Sequence, residues 1–131
     1  MANQGALNEI RRPSDDEIEH KKLFDESQLF ILKNDNSSKT SVIRVGIDLV
    51  YFEKVRGIKN CKEKIALYDS EIKELMGTYF QDKTLEQVKE IDFKQKSKEE
   101  LKKMINDLLN SNEKTYGEIV YEIVFYDWFY Q

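Results

Sequence analysis

Between Thr115 and Gln131 the chain is dense in β-branched and aromatic residues and contains no helix former strong enough to compete, which predicts one long strand. By alternation, Ile119, Tyr121, Ile123, Phe125 and Phe129 fall on one side, and Val120, Val124, Tyr126, Trp128 and Tyr130 on the other. A strand with two apolar faces has to be covered twice. It sits in the middle of a sheet overlaid by helices, or one of its faces is covered by another protein chain. The residue types of Phe125 to Tyr130 place this cluster in a core first, although Tyr and Trp also anchor interfaces.

A second strand is predicted over 41–53, where Ile43, Val45, Ile47, Leu49 and Tyr51 occupy alternate positions with Arg44, Gly46 and Asp48 between them. Val50 and Phe52 blur the polar face, so a helix over 42–55 stays open as the alternative. The short apolar run at 28–33 pairs with it as an antiparallel hairpin across Asn34 to Ser38, whose side chains favour a turn. Read as a calcium loop from Asp35, the same stretch puts Lys39 at a ligand position and Gly46 where a bidentate glutamate belongs, so the turn is preferred.

Helical periodicity appears at 60–80, where Cys61, Ile65, Tyr68, Ile72, Leu75, Met76 and Tyr79 form one stripe behind an Asn60 cap. A short helix runs from Lys83 to about Ile91 with Thr84 and Gln87 in capping-box positions. A third, over 98–110, opens on Ser97 and Glu100 and buries Leu101, Met104, Ile105, Leu108 and Leu109. Ser14 and Glu17, after the single proline Pro13, have the same spacing and predict a helix start there. Residues 1–13 have no periodicity and are expected to be mobile. Met1 to Ala6 reads equally as a native start or a cloning remnant. The fold class expected from this order is α+β, an antiparallel sheet with helices packed on it; residues 1–24 are a linker with a short helix and 25–131 the domain.

With 131 residues the chain is one domain in size, and 40% hydrophobic residues exclude disorder despite 35% charge. Twenty-one basic against twenty-five acidic residues, well mixed, leave a net charge of -4, which argues against nucleic acid as a partner. One cysteine and one histidine exclude an internal disulfide and a zinc cluster. Phosphate loops, zinc-hydrolase and nucleophile-elbow spacings are absent, so no enzyme, cofactor, metal or small-molecule substrate is expected. His20 is taken as a solvated surface residue and Cys61 as a small core residue. No apolar run approaches the roughly 18 residues of a membrane-spanning helix.

The order of elements resembles the periplasmic domain of the flagellar basal-body protein family FliL over roughly residues 25–131. The resemblance rests on Val45-x-Ile47-x-Leu49-x-Tyr51, on Ile72 to Met76 leading to Lys83-Thr84, and on Glu100-Leu101-Lys102-x-x-Ile105-Asn106-x-Leu108-Leu109. The ending Phe125-Tyr126-Asp127-Trp128-Phe129-Tyr130-Gln131 completes it. Departures are Ser70 in place of a frequent proline, Gly77 inside the long helix, and a displaced glycine at Gly117. The resemblance implies an excised domain resembling the stomatin/prohibitin (SPFH) fold, on the periplasmic side of the inner membrane at the basal body, held by an N-terminal membrane helix absent from this chain. It implies a non-enzymatic motor accessory whose partners are other copies of itself, in a ring, and the stator proteins, with effects on torque and motility. The surface expected to meet a neighbouring subunit or the stator is the exposed side of the 60–80 helix with the hairpin edge, through Glu63, Lys64, Glu71 and Lys73. The residues by themselves leave a different class open, a small acidic cytoplasmic binding module such as a secretion chaperone or an immunity or inhibitor protein.

Overall fold

The computed structural model describes residues 12–34 and 39–131. The expected mobile segment 1–13 lies almost wholly outside them, as does the expected turn at 34–38 with Asp35. Four strands, β1 (Ile18–Lys22), β2 (Gln28–Ile31), β3 (Val42–Phe52) and β4 (Val120–Tyr130), form one antiparallel sheet. Its helical layer comprises α1 (Cys61–Leu67), α2 (Asp69–Gln81), α3 (Leu85–Val88) and α4 (Phe93–Leu109). The α+β class expected from the sequence is the observed one.

β3 organises the sheet. Its alternating residues Ile43, Val45, Ile47, Leu49 and Tyr51 are all buried in one core with the helices, and β3 is paired along both edges. β4 runs along one edge, while the other is shared by β2 opposite Val42–Val45 and β1 opposite Asp48–Phe52. The hairpin of 28–33 with 41–53 is therefore present, and the helical alternative for 42–55 is not.

The terminal strand is an edge strand, not the middle of the sheet, and its two apolar faces have a different cause from the one expected. Its register against β3 shifts between Gly46 and Ile47 and again between Val50 and Tyr51. Tyr126 and Tyr121 are the extra residues. Each bulge reverses the alternation, so Phe125 and Trp128, three apart, both turn to the helical layer, their ring centroids 4.8 Å apart. Phe129, expected in the core, faces outward beside Arg44 instead.

Three further expectations change. Ser14 does meet Glu17, its hydroxyl donating to the carboxylate at 2.8 Å, but the pair closes a turn and no helix follows. The segment 1–24 thus contributes a strand where a short helix was expected: β1 pairs with the last five residues of β3, whose backbone groups would otherwise be left open. The helix over 60–80 is divided at Tyr68, which ends α1 and precedes α2. The helix expected over 98–110 begins at Phe93, because buried Phe93 and Ser97 extend the stripe of Leu101, Ile105 and Leu109 by two turns. Ser97 sits inside the helix and donates to the Phe93 carbonyl at 2.8 Å, so its spacing to Glu100 is not a cap. Met104, placed on the buried face by periodicity, is exposed. The Thr84–Gln87 capping box before α3 is formed as read.

α4 lies over β4, and α2 lies over β2 and α4. Phe80, fully buried, is in the middle, with Phe30 stacked at 5.5 Å and Phe125 and Trp128 edge-on at 6.3 and 6.1 Å. The segment leading into β4 passes close to the 53–60 loop: a Cβ on Gly117 would lie 2.6 Å from Val55 Cγ2 and 3.0 Å from the Arg56 carbonyl oxygen. Gly117→Ala is expected to cost about 1–3 kcal/mol through this overlap, read as a lowered urea midpoint with an unchanged slope. A midpoint equal to that of the parent chain would show that the loop yields freely.

Candidate functional site

With the helices on one face of the sheet, the other face is open toward β2 and the end of β4, although Val50 and Ile18 further along it are buried, and side chains in neighbouring strands build a patch on the open part. Leu29, Arg44 and Phe129 stand in one row across β2, β3 and β4. Leu29 is 55% exposed, Ile31 60%, Tyr126 44% and Phe129 42%, so four large apolar groups meet solvent together on strands that otherwise bury theirs. Such clustering on a small domain marks an interaction surface.

Two contacts fix the patch in place. The Tyr126 ring lies so close over Gly46 that a Cβ there would be 2.4 Å from it, and Lys22 Nζ sits 5.4 Å from the ring centre. Arg44 Nε donates to Asp127 Oδ2 at 2.7 Å while its guanidinium lies 4.9 Å from the Phe129 ring. The bond from Arg44 holds the Asp127 carboxyl below the usual carboxylate range, and Asp127 in turn raises Arg44. The pair is exposed, so it orients rather than stabilises.

On the opposite side of the domain, α2 and α4 leave an open groove of about 280 Å³. Leu75, Met104 and Leu108 form its apolar floor, and Glu71, Glu74 and Thr78 its rim. Neither glutamate has a basic partner among the described residues.

The four residues singled out from the sequence are not gathered at one place. Glu63 is exposed in the first turn of α1, where its backbone N–H donates to the Asn60 cap at 3.0 Å. Lys64 is engaged within the domain, donating to Glu113 at 2.6 Å and Asn112 at 3.0 Å over the Tyr68 ring. Lys73 pairs with Asp69 at 2.9 Å and lies over Phe24. Glu71 is on the groove rim, and because Lys73 is two positions further along the same helix the two point in nearly opposite directions.

The sequence reading missed the sheet patch and the groove floor. Leu75 and Met104 carry the same period as their buried neighbours, and Phe129 changes sides only through a bulge. It also missed a polar clamp on α4. Buried Asn106 accepts from the Ile119 and Val120 N–H groups at 3.0 and 2.8 Å and donates to the Val120 carbonyl at 3.0 Å. Asn110 accepts from the Gly117 N–H and donates to its carbonyl, both at 2.9 Å. The only trace in sequence is the pair of asparagines spaced four apart at the end of a helix.

The remaining reactive groups are structural in setting. His20 is exposed on β1. Cys61 is buried, and burial pushes its thiol up, away from the nucleophilic thiolate. Burial, with a bond to Glu19, pushes the Tyr51 phenol up to about 12. Among the described residues no group of three or more His, Cys, Asp or Glu could hold a metal ion, and no helix is long and apolar enough to cross a membrane.

The family described as flagellar basal body-associated protein FliL has a model that matches residues 24–131, most of the chain. No curated protein matches it.

Proposed function

We propose a role that starts from one premise: the chain belongs to the FliL family and is a flagellar basal-body-associated motor accessory protein. Its domain works on the periplasmic side of the inner membrane, held there by an N-terminal membrane helix, and copies of it form a ring around the stator unit. The ring favours the stator's active form and supports torque under load. The role is one of scaffolding and needs no cofactor or substrate. The family match over residues 24–131 carries this reading, and the open sheet face with its four exposed apolar side chains supports it, since a self-associating module has to present such a surface.

Ring formation depends on the tether. Holding many copies in one plane raises their effective concentration without a new contact, so the untethered domain stays monomeric or associates weakly when dilute. Of the residues first singled out, Glu71 and Glu63 are the ones with exposed carboxylates to offer a neighbour; Lys64 and Lys73 act mainly within the subunit.

Deleting the gene in the source bacterium is expected to reduce swimming speed in viscous medium while filaments are still assembled. Unimpaired swimming under load in the deletion strain would refute the motor role.

A further inference from the structure

We infer that the α2/α4 groove of one subunit receives the sheet ridge of the next, Leu29, Ile31 and Phe129, in a head-to-tail contact. The inference rests on the self-assembly proposed above and supplies its two surfaces.

The chemistries of the two sites are matched. The ridge is exposed and apolar, with Leu29 and Ile31 on a four-residue edge strand, while the groove has a floor of Leu75, Met104 and Leu108. The charges are matched as well. Glu71 and Glu74 on the groove rim have no basic partner among the described residues, and Lys33, exposed two positions beyond Ile31, has no acidic one. Lys22 adds positive charge beside the ridge, while the charge of Arg44 is offset by its ion pair with Asp127.

The same charges disfavour the obvious alternative, two sheet faces meeting across a two-fold axis. That arrangement would bring Lys22 and Lys33 of both copies together, and like charges facing each other oppose association. Ridge and groove also lie on opposite faces of a two-layer domain, the sheet side and the helix side. A contact between them leaves each subunit with one free site of each kind, which is the condition for repeating the step until a ring closes.

The test uses the whole chain with a histidine tag at its N-terminus, held on vesicles containing a nickel-chelating lipid. Ile31→Cys and Thr78→Cys place one thiol on the ridge and one on the groove rim, while Cys61 is buried and inert. On mild oxidation the double variant is expected to give a ladder of dimers, trimers and larger species, and each single variant dimers at most. Glu71→Lys with Glu74→Lys should lower the yield about fivefold, the effect of two exposed ion pairs, and adding Lys33→Glu should recover part of it. Efficient dimers from Ile31→Cys alone, equal to the double variant, would mean that sheet faces pair with each other and would overturn the contact. Multimers trapped by a lysine-reactive cross-linker without a disulfide ladder would overturn it while leaving self-assembly intact. No multimers by either route would remove the self-assembly reading together with this one.

Discussion

A chain ending at Val124 is expected to show no cooperative thermal unfolding. Removing residues 125–131 takes Phe125, Trp128 and Tyr130 from the core side of the sheet. It strips Ile43 to Ile47 of β3 of their β4 partners, leaving Gly46 and Ile47 with no strand beside them. Phe80 would lose two of its aromatic contacts. Deleting a large buried aromatic side chain costs about 3–5 kcal/mol, against a total of about 5–15 kcal/mol for a typical domain. Two such losses, with half a ladder added, exceed what a domain of this size holds in reserve. Circular dichroism of the truncated chain on heating is the check, and a retained sigmoidal transition would contradict the place given to the second half of β4.

Asn106→Leu should be the most damaging single substitution on α4. The side chain is nearly the same size, so little packing is lost, but three backbone groups of Ile119 and Val120 lose their partner in a buried setting. Each buried group left without a partner costs about 1–3 kcal/mol, so a loss of roughly 3 kcal/mol or more is expected from urea unfolding. Asn110→Ala is a useful companion, because Asn110 plays the same part for Gly117 one turn further on. A loss below about 1 kcal/mol for Asn106→Leu would show that water or a shifted backbone replaces the clamp.

How much of this was legible in the sequence depended on the range of the interaction. β3 could be read because every second residue is apolar and every one of them is buried. The capping box at Thr84 and Gln87 could be read because it is local. The same local logic failed at Ser14 and Ser97. There the serine–glutamate spacing is present, but the free edge of β3 claims one segment and an apolar stripe reaching back to Phe93 claims the other. β4 was recognised as a strand yet misplaced, because its two bulges depend on its register with β3 and leave no mark in the order of its own residues. That single effect sent Phe129 to the wrong side and hid the exposed patch. The charged residues first chosen on the 60–80 helix were sound as exposed positions only in part. Lys64 and Lys73 find partners at Glu113 and Asp69, and the Lys64 partner is distant enough in sequence to be invisible there. The family resemblance, by contrast, needed only order and spacing, and the family match covers the same stretch.

The central claim is that copies of this domain encircle the stator in the periplasm. Electron cryotomography of motors in intact cells tests it most directly, with averaged maps of the parent strain and a strain lacking the gene. The account predicts periplasmic ring density around each stator in the parent and its loss in the deletion strain, with the rest of the basal body unchanged. Ring density that persists undiminished after deletion, or is missing from the parent, would contradict it.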